Sequence, residues 1–422
     1  MVMQLKRSRA LVGTGILLAG VMALGGCAAT ETPEEPQEVD WYVNITGTLT
    51  EAVYQSVIDD FNVEHPNVTV RLLNSGGQDY ATFLATLVAS GNAPDVVGST
   101  PITPDNEEQF VDLSDEAWAQ EAAAEPGLGQ AGLFGDAIYY VPTAYQISGV
   151  FFYNKTMFED AGITELPTTW EEVDEAAAAL KAAGYVPIAT SGGFVPGAQL
   201  RMQAYQEFMD DGDQWLEDRY AGDATFVDSA WQNVLERTQR WIQEGYVRSD
   251  ALGLDYGTVA ADFATGGYGM FPIGSFLNAN VDQATDPADI GVFPLPSSSS
   301  DDLPPRAVNP TMGWSVLTAG RHEDAGRTLV EFLSTDSDAI NILVKADGGL
   351  SPYTSFEMSP LLTELQDLGD ASTPISFERG DNVPPPGFPQ GVLSLSQKLF
   401  TGSSPADIAA EMDQWWTSNV GQ

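Results

Sequence analysis

Apolar and polar positions alternate along the chain in two rhythms. Val39 to Val43 is a short apolar run that reads as a strand, closed by the loop Asn44-Ile45-Thr46-Gly47. Thr48 to Glu51 has capping-box spacing, and Leu49, Val53, Val57 and Phe61 then recur every fourth residue, the period of one helical face. Val68 to Leu73 returns to alternation and reads as a half-buried strand. A Gly76-Gly77 turn leads to a helix with Tyr80, Phe83, Leu84, Leu87 and Val88 on one stripe, Gly91 stops it, and Pro94 to Val97 opens another strand.

The same alternation of elements continues downstream. Pro142 to Ser148 reads as a loop, and Val150 to Tyr153 as a buried strand ending at Asn154-Lys155. Pro167 to Glu172 starts a helix in which Thr168 and Glu171 have capping-box spacing, and Gly184 ends it. Val186 to Thr190, Met270 to Ile273, Gly291 to Pro296 and Met312 to Leu317 read as strands. Helices carry Trp215, Trp231 and Trp241 as core positions, another spans Glu323 to Leu333, and Ser404-Pro405 caps a last one with Ile408, Met412, Trp415 and Trp416 on one face. Strands and helices at this spacing imply an α/β fold with largely parallel sheets, whose ligands gather at loops beyond the carboxyl ends of strands. Asn44, Thr46, Gln78 and Ser99 sit in such loops.

With 422 residues, the chain is too long for one ordinary core and fits two domains or one two-lobed unit. Charge changes the picture most: 60 acidic against 17 basic residues give −43, a surface that repels anions and excludes nucleic acid as a partner. Lys6, Arg7 and Arg9 precede an apolar run from Ala10 to Leu24, too short to span a bilayer and shaped like a cleaved export signal. It ends in Leu24-Gly25-Gly26-Cys27, which resembles the bacterial lipobox. That resemblance implies a signal peptide over 1–26 and a lipid on the Cys27 thiol, with 27–38 as a flexible tether on the outer face of a membrane. Cys27 is the sole cysteine, so no intrachain disulfide can form.

Catalytic and metal-binding sets are sparse. His65 and His322 are the only histidines, both in loop-like contexts beside Pro66 and Glu323, so a histidine zinc site or a Ser-His-Asp triad lacks its parts. Gly266-Gly267 lacks the lysine of a phosphate loop. No metal or cofactor is called for. The enzyme reading that survives is a secreted glycoside hydrolase or lyase, which needs two carboxylates facing a sugar.

One ordered set of short motifs is more specific than any of its members. It runs Ser90 to Asp95 after a helix, Tyr153-Asn154-Lys155, Pro167 to Glu172, Phe263 with Gly266 to Met270, Gly274-Ser275-Phe276, Phe293 to Pro296, Gly313-Trp314, Pro389 and Gly402 to Pro405. The set resembles the family 1 extracellular solute-binding proteins of bacterial ABC transporters, the maltose-type sugar-binding lipoproteins. The resemblance implies a non-enzymatic monomer with a type II periplasmic-binding-protein fold, two lobes that close on a carbohydrate and deliver it to a permease. It implies an N-terminal lobe over 39–150 and 291–333, a C-terminal lobe over 151–280 and 334–422, and a crossover at 281–290. A sugar needs rings for its C–H faces and polar groups for its hydroxyls. The candidates are therefore Tyr145, Phe194, Phe276 and Trp314 as aromatics, with Asn44, Thr46, Gln78, Ser99, Gln146, Asn278 and Arg379 as polar contacts.

Overall fold

The computed structural model describes residues 37–98, 100, 102, 106–125, 128–208, 212–297, 308–370, 384–385 and 387–420. Cys27, the tether up to residue 36, Ser99 and Arg379 lie outside the described residues; Gln37 and Glu38, expected in the tether, instead begin the first strand, paired with Val68 and Thr69. The described chain forms two lobes, each an α/β layer around its own sheet.

The strands are β1 (Gln37–Tyr42), β2 (Val68–Leu73), β3 (Val96–Gly98), the short pair β4 (Leu133–Phe134) and β5 (Ala137–Ile138), β6 (Val141–Ile147), β7 (Val150–Asn154), β8 (Met270–Pro272), β9 (Ile290–Pro294) and β10 (Val308–Val316). The first lobe's sheet runs β2-β1-β3-β10-β6, with β1 parallel to β2 and β3, and β10 antiparallel to β3 and β6. The second lobe's sheet is β8-β7-β9, antiparallel throughout. The carboxyl ends of β1, β2, β3 and β6 therefore share one edge of the first sheet, from which the chain crosses into the second.

Local chemistry explains the elements. The helix Glu51–Glu64 buries Tyr54, Val57, Ile58 and Phe61, and Thr50 caps it by accepting the Val53 amide. The cap is two residues later than the Thr48 capping box, because Thr46 Oγ1 accepts the Leu49 amide at 2.9 Å and holds that stretch as a turn. The helix Trp170–Ala182 carries a complete capping box on Thr169 and Glu172, one residue past the expected pair. Asp95, almost fully buried, accepts the Asp40, Arg321 and His322 amides and ties β1 to the segment after β10.

Five expectations are corrected. The sheets are not largely parallel: the first has two parallel and two antiparallel pairings, and the second is antiparallel throughout, because its strands come from distant stretches of the chain rather than from successive βαβ units. Pro142 to Ser148 is not a loop: Val141–Ile147 is the edge strand β6, where a proline without an N–H is tolerated. Val186 to Thr190 forms only an isolated bridge, Ile188 to Met270. Ile290–Pro294 pairs with β7 along its length and so belongs to the second lobe, while 281–290 holds the end of the helix Asn278–Asp282 and leads into that strand. The helix Ser337–Asp347 places Ala339, Ile340, Leu343 and Val344 in the first lobe's core, beside the helix Glu51–Glu64, and so does not belong to the second.

The strand pair β6–β7 joins the lobes. Val141 and Ala144 pack in the first core, whereas Tyr145, Ile147, Val150 and Phe152 pack in the second. On the other face of β7, Phe151 stacks on Phe293 at 5.0 Å between ring centres. Behind the second sheet, a helical layer buries Trp231 and Trp241, with Trp416 from the last helix.

Candidate functional site

The loop edge of the first sheet and the segment after β8 meet at the seam between the lobes. Ile147, the last residue of β6, donates its amide to Ser275 Oγ at 3.0 Å. Gly348, which ends the helix Ser337–Asp347 in a left-handed conformation, lies so close to Ala279 that a Cβ there would stand 2.7 Å from the alanine's. Only glycine fits that approach.

A carboxylate sits at this seam. Asp347, half-buried, accepts from Gln146 Nε2 at 3.2 Å and from Thr311 Oγ1 at 3.3 Å, both on Oδ2. Burial pushes its carboxyl up to about 6, against the lowering effect of those two bonds. Tyr54 is close enough to feel that charge; burial, then Asp347, raise its phenol well above the ordinary value. Its hydroxyl donates to the Asn44 carbonyl at 3.2 Å, which places the loop after β1 on the same side.

The second lobe contributes three rings. Phe194 is 46% exposed, the largest exposure of any described phenylalanine, and lies 5.3 Å from Tyr256 and 6.2 Å from Phe276 between ring centres. Tyr256 and Phe276 meet edge-on at 5.8 Å. Tyr256 donates to Asn280 Oδ1 at 3.0 Å, and burial raises its phenol. One exposed ring backed by two half-buried ones, beside polar groups, has the chemistry of a surface that packs on C–H faces.

The structure sorts the sequence candidates. Gln146, Phe194 and Phe276 flank the seam, and Asn44, Thr46 and Gln78 are exposed on the loop edge of the first sheet. Two aromatics move into packing. Trp314 is 3% exposed and meets Trp41 edge-on at 5.2 Å inside the first core. Tyr145 is buried in the second core, where Gln366 Nε2 donates to its hydroxyl at 2.8 Å and burial raises its phenol. Asn278 is buried and donates to Asp282 Oδ2 at 3.0 Å.

Three residues escape the sequence reading: Asp347, Thr311 and Tyr256. Asp347-Gly348-Gly349 after a helical stripe marks a helix end and a tight turn, the available signal. Tyr256 follows the N-cap Asp255, so its position at a helix start was legible, but its ring partners were not. The histidines stand elsewhere: His65 stacks on Phe61 at 4.6 Å, and His322 lies 3.5 Å from Asp95. Among the described residues no group of three His, Cys, Asp or Glu gathers as a metal set.

Comparison with known proteins agrees with this architecture. The family profile "Bacterial extracellular solute-binding protein" matches residues 46–340. The chain is 25% identical over 300 residues to the multiple sugar-binding protein of Streptococcus mutans, covering 68% of each chain. Among solved structures, it resembles the binding protein msmE of Bacillus subtilis in an open conformation, with a TM-score of 0.76 and 16% identity, over 91% of this chain and 97% of that one. It also resembles a Bacillus licheniformis sugar transporter protein in complex with stachyose, with a TM-score of 0.74 and 17% identity, over 90% of this chain and 99% of that one.

Proposed function

The chain belongs to the bacterial extracellular solute-binding proteins, and from that premise we propose that it captures a carbohydrate, an oligosaccharide, at the seam between its lobes. The observation that carries this reading is the exposed ring of Phe194, backed by the half-buried Tyr256 and Phe276, on the second-lobe side of the seam, with the hydrogen-bonding set Gln146, Thr311 and Asp347 on the first-lobe side. Rings take the apolar faces of a sugar, and the polar set takes its hydroxyls. The multiple sugar-binding name of the S. mutans relative and the stachyose in the B. licheniformis structure point to the same ligand class.

A sugar that touches both lobes stabilises the closed arrangement by its differential contacts, without any bond being made or broken. The closed monomer then delivers its cargo to the transmembrane permease of an ABC importer, while the lipid on Cys27 keeps it on the outer membrane face. No catalytic turnover belongs to this cycle.

A thermal-shift screen over mono- and oligosaccharides tests the ligand class. A sugar at a hundred times its dissociation constant adds about 2.7 kcal/mol to stability. Absence of any shift across the panel refutes the carbohydrate reading, and appearance of cleaved product refutes the non-enzymatic one. Unchanged membrane fractionation of a Cys27→Ala protein would remove the anchor.

A further inference from the structure

The carbohydrate reading leaves open which sugars enter, and Asp347 narrows the class. Its position runs against ordinary stability. It is the last residue of the helix Ser337–Asp347, where the helix dipole presents its negative end and disfavours a carboxylate. Among the described residues no lysine, arginine or histidine pairs with it; its partners are the neutral donors Gln146 and Thr311. Lys345, two residues earlier, is exposed to solvent. Both donors use Oδ2, so among the described residues no donor reaches Oδ1.

We infer that Asp347 is a specificity-determining residue of the ligand site, whose free carboxylate oxygen accepts hydroxyls of a neutral sugar and whose uncompensated charge excludes acidic ones. This inference rests on the carbohydrate reading. The placement supports it: the side chain stands where the first lobe's loop edge, through Tyr54 and Asn44, meets the second lobe's Ser275-to-Asp282 segment, which carries Phe276. A hydroxyl donating to a carboxylate forms a charge-assisted bond, stronger than one to a neutral acceptor. A second carboxylate about 4 Å away would weaken binding by roughly a thousandfold at the effective dielectric of a protein surface.

The test needs titration calorimetry on the full chain. The neutral probes are stachyose, maltotriose and xylotriose; the acidic probe is trigalacturonate. Each is titrated into wild type and Asp347→Asn, with the melting temperature of each ligand-free protein recorded. A neutral probe should bind wild type, trigalacturonate should bind at least about a hundredfold more weakly, and Asp347→Asn should lose about tenfold or more for the neutral probe. The ligand-free variant should melt no lower than wild type, which separates lost recognition from lost fold. Equal affinity for trigalacturonate and the best neutral probe overturns the inference, as does a variant whose neutral affinity stays within twofold. Those outcomes leave the carbohydrate reading standing. If wild type binds none of the probes, the carbohydrate reading fails and the inference with it.

Discussion

Replacing Asp347 with asparagine should stabilise the ligand-free protein, and the gain should depend on pH in a fixed direction. The carboxyl is raised from 3.8 to about 6 by burial. Between those values the folded state keeps a proton that the unfolded state has lost, so unfolding free energy falls as pH rises through that window. At 1.36 kcal/mol per pH unit, the difference reaches roughly 3 kcal/mol above pH 6. Asparagine keeps the side chain's size and an acceptor oxygen while removing the charge, so the variant escapes that loss. Below pH 4 wild type and variant should unfold alike, whereas at pH 7.5 the variant should be more stable by up to about 3 kcal/mol. Urea denaturation of the two proteins at pH 4, 5, 6 and 7.5, without ligand, measures the difference directly. A variant less stable at pH 7.5, or a difference that does not change with pH, would refute the claim that Asp347 is a destabilising charge.

Two further substitutions check the packing. Tyr145→Ala should lower stability by about 3 kcal/mol or more, since it empties a site in the second core and removes the bond to Gln366; normal stability with weakened sugar binding would return the ring to the ligand site. Glu207→Gln should cost about 3–5 kcal/mol, because it leaves the Arg237 guanidinium buried over Trp170 without its carboxylate at 3.0 Å; chemical denaturation reads this, and a loss under 1 kcal/mol would place the pair among those of little net worth.

The periodic elements were legible because each has one face in a core. Trp314 shows where a legible pattern was overruled. Met312, Trp314 and Val316 alternate, and all three point into the first core, so the strand period already assigned the ring to packing. The motif Gly313-Trp314 drew it toward the ligand instead. Pro142 hid β6, since a proline demotes a run unless the run is known to lie at a sheet edge, and edge position is a property of the whole topology. Asp347 illustrates the remaining gap: among 60 acidic residues nothing local marks the one that folding brings to Gln146 and Thr311. The separations involved, 201 residues for the first pair, exceed anything a local pattern can encode.

Strand β6 sets a mechanical limit. Ile147 and Val150 are both fully buried, each locked in a ladder, and only Ser148 and Gly149 stand between them. The side chains of Ile147 and Val150 nevertheless pack in the same second core, and Ser275 Oγ holds the Ile147 amide, so this corner moves with the second lobe. The change of core falls earlier, between Ala144 and Tyr145 inside β6. One strand therefore carries side chains of both cores, and turning one lobe against the other has to bend or twist β6 itself.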